Sequence, residues 1–246
     1  MTYCLAMRLS DGLVFLSDTR TNAGLDNIST YRKLFVFHPT PDSTIVIQSA
    51  GNLATTQEVL DRIDRDLAAG ASESLATVGH LFEAALYVGR LSVEVASSHR
   101  PSLSASGADG TSTFIVGGQV GTAAPDVLLV YPEGNYIRAS DDRPFLQIGE
   151  TKYGKFLLEL ATKAGLTVDD APRVALGSMV STARANLSVG PPYDLGTYRT
   201  GSHTVQHTRI ADDSAFLDRL EEIWSRHLLA ALDELPMVDP GDATDL

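Results

Sequence analysis

Thr2 follows Met1 directly, and this pair of residues can give rise to a nucleophile that carries its own base. Methionine aminopeptidase normally removes a methionine that precedes a small residue, and the removal would leave Thr2 with a free α-amine beside its hydroxyl. A hydroxyl alone is a weak nucleophile and needs an adjacent base. An α-amine has a pKa of about 7.7–8.0 and can act as that base near neutral pH. The sequence therefore predicts Thr2 as a catalytic nucleophile.

The residues after Thr2 predict a β-hairpin. Segments 2–9 and 13–18 have the apolar, breaker-free pattern of strands, and Ser10-Asp11-Gly12 between them is a turn signal. We expect Leu9 to pair with Leu13 across this turn. The hairpin would bring the end of its second strand back to the beginning of the chain.

This register predicts which charged residues lie near Thr2. It places Thr2 opposite Arg20 and Cys4 opposite Asp18, with the four side chains on one sheet face. Lys33, on the next predicted strand, is the nearest cation that can neutralise Asp18, and a buried carboxylate without a partner is costly. An ammonium beside the Thr2 amine would lower the pKa of that amine. Asp18 and Lys33 are therefore candidate catalytic residues.

Gly51 is a candidate oxyanion-binding residue. It lies where a predicted strand, 43–50, runs into a predicted helix that begins at residue 52. Backbone N–H groups at the beginning of a helix favour negative charge, and a glycine lets a substrate approach closely. Such a position suits the developing oxyanion of an acyl transfer.

Other residues with reactive or metal-binding side chains have simpler explanations. Cys4 is an alternative nucleophile, but a single cysteine in a strand is more typical of a small buried apolar residue. His203 and His207 are four residues apart, as in helical metal sites, yet they flank a predicted strand. We therefore expect no metal and no cofactor.

The predicted elements fall into groups of strands and groups of helices. Strands are predicted over 2–9, 13–18, 30–37, 43–50, 111–120, 126–135, 136–140 and 204–210, helices over 52–69, 73–98, 151–164, 169–187 and 214–235, and a loop over 99–110. Grouped elements favour an α+β fold with antiparallel sheets over alternating βαβ units.

Composition limits the class of protein. The chain has 246 residues, of which 43% are hydrophobic, enough to bury a sizeable core as one large domain or two small ones. A net charge of −12 without a basic cluster argues against binding to nucleic acid. The longest apolar runs are too short for a membrane span. One cysteine excludes an internal disulfide, and the chain does not begin with a secretory signal, so a cytoplasmic protein is expected.

Several blocks resemble a known family in order and spacing. Thr2 behind Met1, "SDTRTNAG" (17–24), "YRKLFVF" (31–37) and "SAGNLATTQ" (49–57) resemble the proteasome-type branch of the N-terminal nucleophile hydrolases. "FIVGGQVGTAAPDVLLVYPEGNY" (114–136) resembles a hairpin of proteasome β-subunits. "IGETKYGK" (148–155) and "ANLSVGPPYDL" (185–195) are similar to the bacterial ancestral β-subunits called Anbu. The resemblance covers about residues 2–210.

The resemblance implies a four-layer αββα sandwich, in which two antiparallel sheets lie between helix layers. It implies Thr2 as nucleophile and base, Asp18 and Lys33 as its support, and the Gly51 amide as oxyanion donor. It also implies a peptidase or amidohydrolase that assembles with itself into rings or spirals. We expect one such domain over residues 1–235, followed by an acidic tail over 236–246. No unfoldase partner is identified by the sequence.

The chain departs from proteasomal β-subunits at two places. Glu150 stands where those subunits usually carry a serine, and Ala185 stands where they carry an aspartate. Ser188 is retained, and we expect it to support the site with Arg20 and Glu150. A carboxylate beside the Thr2 amine would raise the pKa of that amine and weaken the base. Two alternatives follow: a catalytically weak assembly or scaffold subunit, and a non-proteolytic amidase acting on a small amide.

Overall fold

The structure is a computed structural model that describes residues 1–22, 28–162 and 165–237. In chain order the strands are β1 (Tyr3–Leu9), β2 (Gly12–Asp18), β3 (Arg20–Asn22), β4 (Ile28–Thr30), β5 (Leu34–Thr40), β6 (Ser43–Gly51), β7 (Ser112–Val120), β8 (Asp126–Val130), β9 (Tyr136–Arg138), β10 (Phe145–Gly149), β11 (Tyr193–Arg199) and β12 (Val205–Ile210). The helices are α1 (Leu53–Ala68), α2 (Leu81–Ser106), α3 (Lys152–Thr162), α4 (Ala171–Ala185) and α5 (Ala215–Asp233).

Two five-stranded antiparallel sheets form the centre of the fold. The first sheet has the strand order β10-β1-β2-β11-β12, and the second has the order β5-β6-β7-β8-β9. β3 and β4 form a separate antiparallel pair, in which Arg20 lies opposite Thr30. The first sheet therefore combines the first two and the last two strands of the chain with β10. The second sheet is built from five consecutive strands.

Apolar side chains bind the layers together. A buried cluster that contains Phe15, Leu34 and Ile115 joins the two sheets face to face. A second cluster, with Phe114 and Leu91 among its members, joins the second sheet to α1 and α2. Helices α3 and α4 pack against each other, and α4 contacts β1 and β2 of the first sheet. These layers confirm the predicted αββα sandwich.

The chain forms two compact units, Met1–Ala211 and Asp212–Leu246. The sandwich belongs to the first unit, and α5 is the helix of the second. Much of the acidic tail predicted over 236–246 lies outside the described residues, which end at residue 237. The single domain predicted over 1–235 stays a prediction.

The predicted register of the first hairpin is wrong by one residue. Leu9 pairs with Gly12 rather than with Leu13, and Cys4 lies opposite Ser17 rather than Asp18. Gly12 is the first residue of β2 rather than part of the turn. A Cβ at this position would lie 2.0 Å from the carbonyl oxygen of Tyr198, which lies on β11. The close approach of β11 therefore requires a glycine at the first residue of β2.

Several element boundaries also differ from those predicted. Helix α2 begins only at Leu81, and it continues through Pro101 into the segment predicted as a loop. Its C-terminus is set by Gly107, which adopts a left-handed φ of 69° and whose N–H donates to the Ser104 carbonyl at 3.2 Å. Lys33 lies immediately before β5 rather than on a strand. Strands β3, β10 and β11 were not predicted as strands.

Candidate active site

The beginning of the chain is held between β2 and β10. The Tyr3 N–H donates to Asp18 Oδ1 at 3.0 Å, at the end of β2. On the other side, the Thr2 carbonyl accepts a hydrogen bond of 2.7 Å from the Glu150 N–H, just after β10. Thr2 is half-buried. The backbone on both sides of the predicted nucleophile is therefore fixed by residues from two neighbouring strands.

Asp18 and Lys33 form a buried ion pair. Their Oδ1 and Nζ atoms are 2.8 Å apart, and the side chains are 0% and 7% exposed. Lys33 Nζ also donates to the Arg20 carbonyl at 2.6 Å. Burial raises the pKa of Asp18, whereas the charge of Lys33 and backbone N–H groups, that of Tyr3 among them, oppose this rise. The pair is thus a desolvated charge site beside the chain start.

Lys33 reaches this position because its backbone is attached to the second sheet. The Lys33 carbonyl accepts a hydrogen bond of 3.1 Å from the Ser49 N–H, near the end of β6. Its side chain crosses to Asp18 at the end of β2, in the first sheet. The ion pair therefore connects the two sheets at the end where Thr2 lies.

A cleft of about 540 Å³ is lined by Gly51 and Gly149, and Gly149 packs against the backbone of Thr2. A Cβ on Gly51 would lie 2.5 Å from the Thr111 carbonyl oxygen, and one on Gly149 would lie 1.9 Å from the Thr2 carbonyl oxygen. Both residues also have positive φ angles, 119° and 83°. Glycines at these positions let β6 and β10 approach their neighbours closely.

Helix α1 begins at this cleft. Asn52 is its N-cap residue, and its Oδ1 accepts a hydrogen bond of 3.1 Å from the Thr55 N–H. The strand that ends at Gly51 therefore turns directly into a capped helix, as the sequence predicted. A helix N-terminus in this position favours a developing negative charge in the cleft.

Glu150 is joined to the segment that follows α4. Its Oε2 accepts a hydrogen bond of 3.1 Å from Asn186 Nδ2, and Asn186 Oδ1 accepts one of 3.0 Å from the Ser188 N–H. The same Asn186 Nδ2 lies 3.9 Å from the sulfur of Met1. Ser188 thus takes part in the site through its backbone, and Asn186 connects it to Glu150.

Arg20 also contacts the segment that follows α4. Its Nη1 donates to the Leu187 carbonyl at 3.0 Å. Its guanidinium packs over Gly190, where a Cβ would lie 2.3 Å from Arg20 Cζ. Because the Arg20 carbonyl binds Lys33, the segment 186–190 is linked to the buried ion pair as well as to Glu150.

Cys4 lies in the core between the sheets. It is fully buried, and its Sγ donates to the Ser49 carbonyl at 3.7 Å. Burial, together with the negative charge of Asp18, raises the pKa of the Cys4 thiol. The prediction of a buried small apolar residue is confirmed, and a thiolate nucleophile is disfavoured here.

The structure brings together the residues that the sequence singled out. Thr2, Asp18, Arg20, Lys33, Gly51, Glu150 and Ser188 all lie at one end of the sandwich. Sequence reasoning missed Asn186, although it directly follows Ala185, a position at which the chain departs from proteasomal β-subunits. It also missed Tyr3, whose backbone N–H binds Asp18.

Neither a membrane-spanning helix nor a metal-binding cluster is present among the described residues. In residues 1–22, 28–162 and 165–237, no helix has the length and apolar character required to cross a membrane. The same residues contain no group of three or more histidine, cysteine, aspartate or glutamate side chains arranged to hold a metal ion.

Solved structures similar to this chain come from several bacteria. Anbu, the ancestral β-subunit, from Yersinia bercovieri is 40% identical with a TM-score of 0.89, over 97% of this chain and 100% of that one. The Anbu complex from Pseudomonas aeruginosa, described as a helical assembly, is 40% identical with a TM-score of 0.92, over 98% and 100%. Anbu from Hyphomicrobium sp. strain MC1 is 38% identical with a TM-score of 0.86, over 97% and 100%. No protein-family model and no curated protein matches the chain.

Proposed function

The chain belongs to the Anbu family of ancestral β-subunits, which are proteasome-like N-terminal nucleophile hydrolases, and from this premise we propose that it is a threonine-type peptidase or amidohydrolase. Its nucleophile is the Thr2 hydroxyl, and its base is the Thr2 α-amine, which becomes free when Met1 is removed. The observation that carries this proposal is the buried Asp18–Lys33 pair, hydrogen-bonded to the backbone N–H that follows Thr2.

A buried ion pair is weak evidence for a stabilising role. Desolvation of two charges can exceed their mutual attraction, and apolar residues of similar volume often give equal or greater stability. Desolvated charges beside a cleft are, by contrast, a common means of shifting the pKa of a catalytic group. The Lys33 ammonium, held by Asp18, would lower the pKa of the Thr2 amine and keep more of it in the basic form.

The proposed reaction is an acyl transfer to Thr2 followed by hydrolysis. The Thr2 amine takes the proton of the hydroxyl while Oγ1 attacks the carbonyl carbon of the scissile amide. The Gly51 N–H stabilises the resulting oxyanion. Collapse of this intermediate breaks the C–N bond, and the leaving amine takes the proton. Water, activated by the Thr2 amine, then releases the acyl group and regenerates the enzyme.

We also propose that the chain works as a homo-oligomer in the cytoplasm. The relative from Pseudomonas aeruginosa is described as a helical assembly, which favours a spiral over a closed ring for this chain. The substrate and any unfoldase partner stay open in this proposal.

A catalytically weak assembly subunit is the second candidate. The observation in its favour is Glu150, whose backbone is bonded to Thr2 and whose carboxylate lies on the Met1 side of the same residue. A carboxylate beside the Thr2 amine stabilises the ammonium form and lowers the fraction of free base at neutral pH. The two candidates share the site and differ in the rate that it supports.

Two measurements on the protein from its own host test the proposal. Intact mass should show a chain that begins at Thr2. A peptide epoxyketone, which bonds to both the hydroxyl and the amine of an N-terminal threonine, should add one equivalent to this chain. Retention of Met1 on nearly every molecule would contradict the catalytic proposal and leave the fold unaffected.

The matched variants are Thr2→Ala and Thr2→Ser. Thr2→Ala should abolish both epoxyketone labelling and hydrolysis, because the nucleophilic oxygen is lost. The assembly should persist, because the only other atom removed is the methyl group of a half-buried side chain. Thr2→Ser retains a hydroxyl and an amine and should remain reactive. Labelling with no cleavage of any peptide in a library would favour the amidase that acts on a small amide. A Thr2→Ala protein as active as the wild type would rule out Thr2 as the nucleophile.

A further inference from the structure

Asn186 occupies a fixed orientation next to Glu150. The Ser188 N–H can only donate, so the side-chain atom of Asn186 that faces it at 3.0 Å is Oδ1. This leaves Nδ2 to donate to Glu150 Oε2 at 3.1 Å. The backbone that follows α4 therefore determines which end of the amide meets the carboxylate.

The carboxylate of Glu150 and the side chain of Met1 meet the same amide nitrogen. Asn186 Nδ2 is close to both Glu150 Oε2 and the sulfur of Met1, at 3.1 and 3.9 Å. The Glu150 N–H is bonded to the Thr2 carbonyl at 2.7 Å, and its Oε1 accepts a long hydrogen bond of 3.4 Å from the Lys152 N–H. Glu150 is thus held at its backbone by Thr2 and at its carboxylate chiefly by Asn186.

From these contacts we propose that Asn186 is a positioning residue, which holds the Glu150 carboxylate against the amine of Thr2 once Met1 has been removed. This inference rests on the proposed function and deepens it. Asn186 itself touches no reacting atom. Its effect on catalysis passes through Glu150, which acts on the protonation of the base.

The other charges around Thr2 make the position of Glu150 decisive. The end of β2 provides Asp18, the segment before β5 provides Lys33, and β3 provides Arg20. Asp109 lines the same cleft as Gly149, and its carboxylate accepts hydrogen bonds of 2.9 Å from the N–H and the hydroxyl of Thr111. Asp18 and Lys33 neutralise each other at 2.8 Å. Among the described residues Glu150 forms hydrogen bonds but no ion pair, so its negative charge is available to the Thr2 ammonium. Small movements of this carboxylate would change how strongly it favours that ammonium.

The proposal is tested by measuring the protonation of Thr2 without relying on turnover. The full-length chain is produced with Thr2 freed from an N-terminal fusion, and its amine is carbamylated with cyanate over a range of pH. Mass spectrometry of the N-terminal peptide gives the pH at which half of the amine is unprotonated. Because cyanate needs only a free amine, this readout is independent of substrate specificity.

This half-point pH is measured in four proteins: the wild type, Glu150→Gln, Asn186→Ala and the double variant. Glu150→Gln should lower the half-point, by up to about one pH unit, or tenfold in free amine. Asn186→Ala should shift it in the same direction by a smaller amount, because the carboxylate becomes free to turn away. The double variant should match Glu150→Gln alone, since Asn186 acts only through Glu150.

Asn186→Asp is the matched control in shape. It keeps an acceptor for the Ser188 N–H but replaces the donor with a second carboxylate, so the half-point should rise. Opposite shifts for Asn186→Ala and Asn186→Asp would support the positioning role. Equal half-points in all single variants, or an Asn186→Ala shift that persists in the Glu150→Gln background, would overturn it. Failure of epoxyketone labelling with these shifts intact would instead contradict the proposed function.

Discussion

Two clefts on this molecule differ both in volume and in how far the charged groups near them are exposed to water. The larger one, about 730 Å³, runs along α2 and is lined by Tyr87, Arg90 and Gly134 among others. The smaller one, about 540 Å³, is lined by Gly51 and by Gly149, which packs against the backbone of Thr2. The larger cleft is formed by the surface of one helix and the segments next to it, whereas the smaller is formed where the ends of several strands meet.

The charges in the two places differ in their contact with water. Arg90 pairs with Glu73 at 2.8 Å and with Glu94 at 3.2 Å, but the side chain of Arg90 is 41% exposed and those of its partners are 74% and 46% exposed. Asp18 and Lys33, at a similar distance of 2.8 Å, are 0% and 7% exposed. Water screens the first set of charges and not the second. Desolvation, rather than cleft size, therefore distinguishes the candidate site.

The strongest test of this contrast removes one cation from each place. Lys33→Ala leaves Asp18 buried without a partner and should destabilise the fold by about 3–5 kcal/mol. Arg90→Ala breaks exposed ion pairs and a cation–π contact with Tyr87 at 5.5 Å, and it should cost about 1–2 kcal/mol. Denaturant unfolding measures both values, and epoxyketone labelling should be lost in Lys33→Ala alone.

Lys33→Met serves as a second variant where Lys33→Ala fails to fold, because it fills the volume of the lysine stem without its charge. A folded Lys33→Met protein should also fail to label. Wild-type labelling by either folded variant would assign Lys33 a structural role only. An unfolding cost for Arg90→Ala as large as that for Lys33→Ala would remove the contrast between the two places.

Local patterns predicted most elements and the α+β class, whereas the αββα layers were expected only from the resemblance to proteasome-type subunits. Alternation and helical periodicity identified the first hairpin, β6, α1, α4 and α5. The register of the hairpin was not predictable from the pattern alone, because the tight contact of Gly12 with the Tyr198 carbonyl is made to a distant strand. The strands β10 and β11 were missed for a related reason, because each becomes a strand by pairing with a distant segment, β1 or β2.

The residues of the candidate site also differ in whether the sequence could predict them. Thr2, Asp18 and Lys33 were predictable, because a buried carboxylate near a chain start requires a cation and few cations are near in sequence. Asn186 was not, because it lies at the end of a helical pattern and meets Glu150 only through the packing of α3 and α4. Residues that act through a distant partner leave no signal in local spacing.

The second test compares a glycine from each cleft. Gly51→Ala would place a Cβ 2.5 Å from the Thr111 carbonyl oxygen at a φ of 119°. In Gly134→Ala the nearest atoms are Val93 Cγ2 at 3.1 Å and the Gly89 carbonyl oxygen at 3.2 Å, at a φ of 86°. Both variants carry backbone strain of about 1–3 kcal/mol, but only Gly51→Ala moves the proposed oxyanion donor.

We therefore expect Gly51→Ala to slow hydrolysis by roughly 10²-fold, as loss of an oxyanion donor does. Gly134→Ala should leave the rate per folded molecule unchanged. Initial rates, normalised to the folded fraction from circular dichroism, give the comparison. Equal rates for the two variants would show that Gly51 is needed for packing and not for the reaction.

The smallest expected effect concerns Cys4, which lies close to the site in sequence and yet belongs to the core. Its thiol is fully buried between the sheets, and burial raises the pKa of that thiol, so the thiolate is scarce at neutral pH. Cys4→Ala should cost about 1 kcal/mol for the lost packing. It should also leave hydrolysis within about twofold of the wild type, since Sγ contacts the Ser49 carbonyl rather than the cleft. Iodoacetamide should spare the native protein even at pH 9 and modify Cys4 fully in denaturant, as followed by intact mass. Rapid modification of the native chain together with loss of hydrolysis would place Cys4, and not only Thr2, among the reactive groups.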